Sequence, residues 1–576
     1  MESARKMEQI AQNNPIAIQF NSTAMNSRAP WGTSMVQVAL NNPIILTQIL
    51  QQAYTSLKTC RLVSHFWNDM VLSLPNTRLA LRLRKLPLAE DNLFQFDTSE
   101  EDDDDEDIDP GPVPFLTLCL TLDARLAKRI WASSSASSRL APKTKINYFG
   151  TKLLHVCDKF SQRVQILEIS THSEDYLPPI YHVLKNCCPN LTQLRIKVTP
   201  GTASSNYSIS EILFHPLSPK PNLTTVAVTL SNPRNLARFS ILPHVTQQVV
   251  HSAPNLREIF LPVGFYPDFA ISPHLETLAI GQDLFCRTES SNKSAMSIML
   301  AQVSDHLINL SLGKTGIQNI ESFEVLLPGM AKLKMFRNMM VDVFRCGDFF
   351  KNIAGLMPSL TRIVVGEAFQ CSKGVDEILQ NLRNSGQIVA TVTDLVLIGV
   401  HEVTLLDGLE TVLPNVAELK VDSLYEARIL SGGGGGGRRW GFPWGKCDTE
   451  MGAVLAACRG WRGLKHLKLG VSTYPNVEDM IKDLLDNREL FKERLKTLEI
   501  SLMKCMYYPT HNLTQGEMNL FETLLMEMRD MNEVTILFLY FGAESRKKML
   551  DFMVSNKLEV SKFKMFQGGK TCRDGE

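Results

Sequence analysis

The chain has 576 residues, with 60 Lys plus Arg against 60 Asp plus Glu and a formal net charge of zero. Single domains run about 100 to 200 residues, so this length implies two or more units or one elongated repeat array. The balanced charge gives no overall basic field for nucleic acid, and no run of about 18 apolar residues suggests a membrane span.

The first twenty residues, MESARKMEQIAQNNPIAIQF, contain no apolar block of signal-peptide type. The reading is a soluble intracellular protein, cytoplasmic or nuclear, with no nucleic-acid or membrane partner. Twelve cysteines include no CxxC pair, so neither a zinc site nor a disulfide framework is expected, and buried thiols are. Residues 1–38 read as a disordered N-terminal segment.

From Leu40 the sequence runs LNNPIILTQILQQAYTSLKTCRLVSHFWNDMVLSL. Ile45, Leu46, Ile49 and Leu50 follow the spacing of one helix face, and Leu57, Cys60, Val63, Phe66 and Trp67 give a second. So few residues cannot bury both faces alone, so residues 39–75 need a partner surface. Residues 76–160 follow as a capping region, with alternating strand-like stretches at 77–86 and 115–122. Between them EEDDDDEDID at 100–109 predicts a solvated acidic loop, about 97–112, because self-repulsion and lack of apolar area oppose folding.

One phrase then recurs. It reads PNLTQLRIKV from Pro189, PNLTTVAVTL from Pro221, PNLREIFLPV from Pro254 and PNVAELKVDS from Pro414, with looser copies from Pro273, Pro328 and Pro358. Copies without the proline begin at Arg163, His306, Thr391, Gly463, Arg494 and Glu533, making thirteen. Each has apolar residues at positions 1, 4 and 6, as in Leu191, Leu194 and Ile196, and the last two have the period of a strand. Helical stretches precede several copies, such as DYLPPIYHVLKNC before Pro189 and MNLFETLLMEMRDM before Glu533. Each unit is therefore helix, turn, short strand, repeated over 161–560 at a mean step of roughly 31 residues. Residues 561–576 are left as a tail.

The longest step holds SGGGGGGRRWGFPWGKCD at 431–448. Gly445-Lys446 is not a phosphate loop, because Trp440 stands where GxxxxGK needs glycine and Cys447 follows instead of Ser or Thr. The stretch reads as a flexible surface loop. With no other catalytic motif, no enzyme activity, cofactor or metal is expected.

The LxxLxL spacing resembles leucine-rich repeats, although the asparagine or cysteine that follows in that family is replaced by Thr199, Ser231 and Gly264. The resemblance implies an α/β horseshoe solenoid, strands concave and helices convex, without a regular asparagine ladder. Residues 39–75 resemble an F-box: Arg61 to Trp67 match RLVxxxW, and Ile45-Leu46 with Ile49-Leu50 match the first helix, while Pro43 is displaced by one residue. An F-box followed by such repeats implies the substrate receptor of a Skp-cullin-F-box ubiquitin ligase. By that resemblance Pro43, Ile45, Leu46, Ile49, Leu50, Leu57, Val63 and Trp67 would hold a Skp-type adaptor, and through it a cullin. Position 5 of the repeats, with Arg195, Phe260, Lys334, Lys420, Lys468 and Phe538, would face an unknown protein target. The competing reading is a repeat scaffold with a degenerate F-box and no ligase role.

Overall fold

The computed structural model describes residues 42–43, 45–47, 66–67, 70–71, 81–83, 128–134, 142–199, 215–230, 241–281, 293–313, 323–341, 344–367, 373–422, 451–471, 477–502, 512–537, 539 and 541–564. The chain divides into two compact units, Met1–Trp131 and Ala132–Glu576. In the first, Pro43 and residues 45–47, 66–67 and 70–71 are helical, and Leu81–Leu83 is a short strand inside the predicted stretch at 77–86. The acidic run at 100–109, the stretch at 115–122 and the glycine-rich loop at 431–448 lie outside the described residues.

The second unit is mixed α/β, and its thirteen phrases are thirteen parallel strands. They are β1 (Ile166–Thr171), β2 (Gln193–Val198), β3 (Thr225–Leu230), β4 (Glu258–Leu261), β5 (Thr277–Ile280), β6 (Asn309–Leu312) and β7 (Met335–Asn338). The rest are β8 (Arg362–Gly366), β9 (Asp394–Ile398), β10 (Glu418–Asp422), β11 (His466–Val471), β12 (Thr497–Leu502) and β13 (Glu533–Leu537). Each strand pairs with its neighbour in the chain, in parallel and in register. Sequential pairing of this kind is one-dimensional stacking, in which each unit buries its apolar side only against the next.

Parallel neighbours need crossover connections, and among the described residues seven of the twelve hold a helix of eight or more residues, whereas 262–276 between β4 and β5 holds none. These helices are α1 (Leu177–Asn186), α2 (Ile241–Ser252), α3 (Lys293–Val303), α4 (Gly374–Asn384), α5 (Met451–Cys458), α6 (Val477–Asp486) and α7 (Gln515–Glu527). The helices anticipated before Pro189, Gly463, Arg494 and Glu533 are α1, α5, α6 and α7. Pro178 and Pro179 stand in the first turn of α1, where the missing N–H is no loss. Helix α7 opens with a capping box, Thr514 accepting from Glu517 N–H while the Glu517 carboxylate accepts from Thr514 N–H.

The Pro-Asn of the phrase is a tight turn. Leu191 N–H donates to Cys188 O, Leu223 to Lys220 and Leu256 to Ala253, closing four-residue turns with proline in the second place, where its fixed φ fits. The asparagine amide then reaches back one repeat. Asn190 Nδ2 donates to Gln162 O at 2.9 Å, Asn255 to Pro221 O at 2.9 Å and Asn415 to Ala390 O at 2.8 Å, each the carbonyl two residues before position 1. Inter-repeat asparagine bonds therefore exist, but at the entry to the strand instead of after it. A parallel set runs through threonine at position 2, where Thr192, Thr224, Thr361 and Thr393 hydroxyls donate to the position-2 carbonyl of the repeat before.

These bonds also correct the phase of two copies. Lys334 N–H and Met335 N–H share the Ile308 carbonyl, and Asn532 and Glu533 share that of Lys496, just as Thr192 and Gln193 share that of Gln165. Position 1 is therefore Leu333 and Met531, three residues from the Met330 and Val534 of the sequence reading. The strand register agrees, setting Phe336 beside Leu310 and Val534 beside Leu498. Apolar residues three apart, Met330-Leu333-Phe336 and Met531-Val534-Leu537, fit the 1, 4 spacing in either frame. At the second copy burial agrees with the register, since Val534 is fully buried while Leu537 is 38% exposed.

Gly313, just after β6, has φ 59°, in the left-handed region, and donates its N–H to Ile280 O. A Cβ there would overlap the Met340 thioether. Gly313→Ala is expected to cost about 2 to 4 kcal/mol from overpacking and backbone strain together, read as a lower urea midpoint with unchanged m-value.

Candidate partner-binding surfaces

In the first unit, Asn42 caps the opening turn. Its side-chain oxygen accepts from Ile45 N–H at 3.3 Å and its carbonyl from Leu46 N–H at 2.9 Å, with Pro43 at the first helical position. The proline displaced relative to the F-box pattern therefore has a local reason, since asparagine is the better cap. Pro43 is exposed and Ile45 half-buried, whereas Leu46 is fully buried and Trp67 only 6% exposed. Of the eight positions matched to the F-box pattern, one is thus exposed, one half-buried and two are inside. Ile49, Leu50, Leu57 and Val63 lie outside the described residues.

On the repeats, parallel register brings position 5 of neighbouring strands side by side. The column reads Glu168, Arg195, Ala227, Phe260, Ala279, Ser311, Arg337, Val364, Val396, Lys420, Lys468, Glu499 and Thr535. Arg195, Phe260, Lys420 and Lys468 stand in it as expected. Lys334 does not, because the corrected frame puts it at position 2 and Arg337 in its place. Phe538 lies outside the described residues, and Thr535 occupies the column in β13.

Most charges on this row of the sheet are paired. Arg195 meets Glu168 at 3.3 Å, Lys468 meets Glu499 at 2.8 Å, Lys420 meets Asp422 at 3.5 Å, and Arg362 at position 3 meets Asp394 at 3.1 Å. Open ion pairs of this kind contribute about 0 to 1 kcal/mol each, so they set the pattern of charge more than stability. Burial pushes the Asp394 carboxyl above its ordinary value, and the Arg362 guanidinium only partly offsets it.

Arg337 differs from them. Among the described residues no hydrogen bond or ion pair ties its guanidinium, and its Nε is buried without an acceptor. Burial pushes its pKa below the ordinary arginine value, and the positive charge of Arg362 adds to the shift. Next to it Met339, Val364 and Val396 form an apolar cluster with Ile398 packed against it. Sequence reading missed Arg337, Glu168, Met339 and Ile398 for different reasons. The first depended on phase, the second was omitted at the edge, and positions 7 were not considered.

Buried polar groups elsewhere serve packing. Lys220 is 2% exposed and donates from Nζ to the carbonyls of Cys187 at 3.1 Å and Cys188 at 3.3 Å, bridging two consecutive repeat turns. Burial lowers its pKa and raises that of the Cys187 thiol to about 11. Cys157, Cys187, Cys188, Cys346 and Cys458 are buried free thiols, as expected for these five. Asp376 accepts from the N–H groups of His401 at 3.0 Å and Glu402 at 3.3 Å, so a helix-start carboxylate fastens the loop after β9. Among the described residues no group of three or more His, Cys, Asp or Glu is placed to hold a metal ion, and no helix is long and apolar enough to cross a membrane.

No model of a known protein family matches the sequence, and no curated protein matches it. The class defined by the fold is thus a mixed α/β protein with an open parallel sheet of sequentially paired strands.

Proposed function

We propose that this chain is a substrate-recognition subunit of a Skp-cullin-F-box ubiquitin ligase, with residues 39–75 docking the Skp-type adaptor and the leucine-rich repeats holding the target. The observation that carries the reading is the order of two elements in one chain: an F-box-like stretch ending in Arg61 to Trp67, then thirteen stacked strands whose position-5 side chains share one face of the sheet. In this reading the chain does no bond chemistry. It raises the effective concentration of the target beside a ubiquitin-charged enzyme, turning a bimolecular encounter into an intramolecular one. The target lies along the concave face, on the rows that include position 5. Parallel in-register stacking supports this, because it sets one side chain per repeat along a continuous line.

The test is recovery of partners by the tagged full-length chain from cell extract. A Skp-type adaptor and a cullin are expected with the wild-type protein. Ile45→Glu is expected to reduce adaptor recovery about tenfold or more, since a charge is placed at an apolar contact while Leu46 and Trp67 stay untouched. Unchanged recovery by Ile45→Glu, or no adaptor with the intact chain, counts against the proposal. The second reading, a scaffold with no ligase role, draws on the burial of Leu46 and Trp67, two apolar groups already used at home. It is supported if protein partners are recovered without the adaptor.

A further inference from the structure

The charged groups on the outward rows of the sheet divide into paired, solvated and stranded. Glu168, Arg195, Arg362, Asp394, Lys420, Asp422, Lys468 and Glu499 meet partners within 4 Å. Lys197, Glu258 and Glu418 are exposed to solvent, Glu258 also accepting from the Thr225 hydroxyl. Arg337 belongs to neither group. It sits mid-sheet on β7, half-buried, with a buried Nε that has no acceptor among the described residues and a like charge, Arg362, on the next strand.

With its Nε buried and unpaired and a second cation beside it, Arg337 lacks part of its hydration and a counter-charge, which an anion arriving from outside would supply. Its flanks describe the incoming group. By register Ser311 stands on one side, with a hydroxyl able to donate, and Val364 on the other. Just past the end of β7 is Met339, which with Val364 and Val396 forms a buried apolar cluster that backs the site. A single unpaired guanidinium, its cationic neighbour already tied to Asp394, matches one carboxylate held through the two-pronged fork of arginine. A doubly charged phosphate would call for a second unpaired cation, and Asp394 and Glu418 on the strands beyond would oppose it.

We propose that Arg337 is the anchor of a docking site for an acidic protein segment, accepting one aspartate or glutamate carboxylate. The inference rests on the reading of this face as the target surface. It names what that surface selects.

The full-length chain is tested by fluorescence polarisation against three pools of labelled dodecapeptides. These have random flanks and a fixed central Glu, Gln or phosphoserine, in about 0.1 M salt so that long-range attraction is screened. The wild-type chain is expected to bind the Glu pool about tenfold more tightly than the Gln pool, a difference in line with one charge-assisted fork. Arg337→Gln, checked for an unchanged urea midpoint, should bring the two pools to within about twofold, and Arg337→Lys should keep part of the preference. The site is overturned by absence of preference in the wild-type chain, by a preference that survives Arg337→Gln, or by tighter binding of the phosphoserine pool. Should Arg337→Gln fail to fold, the wild-type preference for Glu over Gln still decides. Adaptor recovery is measured on the same preparations. Loss of the adaptor with Glu selection intact removes the ligase reading alone, and the reverse outcome removes the Arg337 site alone.

Discussion

Trp461→Ala is expected to lower stability by about 3 to 5 kcal/mol, the range for emptying a fully buried aromatic site. Trp461 is 0% exposed and lies in the turn before β11, where its carbonyl accepts from Leu464 N–H. Its indole Nε1–H donates to Leu413 O at 2.8 Å, in the corresponding turn one repeat earlier. Arg462-Gly463 stands here where other repeats have Pro-Asn, so there is no asparagine to reach back, and the indole makes the inter-repeat bond instead. It does so across the longest step of the array, which contains the glycine-rich insertion. Trp461→Phe keeps most of the apolar volume and loses the donor, so about 1 to 2 kcal/mol is expected for the hydrogen bond alone. Because each repeat is supported only by its neighbours, the damage should be local. Native-state hydrogen exchange in Trp461→Ala should accelerate in β11–β13 and stay unchanged in β1–β6. Equal acceleration throughout would show the unit to be one cooperative block.

Asn338→Leu is expected to destabilise by about 2 to 4 kcal/mol, although the repeat pattern alone would rate it an improvement. Asn338 occupies position 6 of β7, where the other strands place an aliphatic side chain, and it is fully buried. Its Nδ2 donates to Phe344 O at 2.7 Å and its Oδ1 accepts from Met340 N–H at 3.0 Å. Both partners belong to the segment that leaves the strand toward the short pairing of Phe344–Arg345 with Phe323–Glu324. Leucine fits the volume roughly but removes donor and acceptor together from a site without exposed surface. Asn338→Asp keeps the acceptor for Met340 but loses the donor and buries a carboxylate against the Phe344 carbonyl, so in urea unfolding at neutral pH it is expected to destabilise at least as much as Asn338→Leu. A neutral or stabilising Asn338→Leu would contradict this account.

The two substitutions mark where reading the sequence stops. At most repeats, as at Leu191, Leu194 and Ile196, the three apolar positions and the Pro-Asn turn are enough to find the strand, its buried face and the phase of its column. At Pro328 and Glu533 apolar residues recur every three, so two frames fit equally and only pairing with the neighbouring strand selects one. That selection replaces Lys334 with Arg337 in the outward column, and with it changes the chemistry assigned to the face. Asn338 is invisible for a related reason. A polar residue at an apolar position reads as noise until the carbonyl of Phe344 is brought beside it.

Local patterning determined the α/β repeat, its thirteen strands and the turn chemistry, because alternation and turn preference are properties of neighbours along the chain, but not the further strands Arg129–Ser133, Phe323–Glu324 and Phe344–Arg345. Tertiary structure alone decided which charges meet across strands, that Leu46 and Trp67 are buried, and that Arg337 stands without a counter-charge. The ion pairs across strands depend on the exact register between neighbouring repeats, as for Arg195 beside Glu168 and Lys468 beside Glu499, which the average spacing of the phrase does not fix.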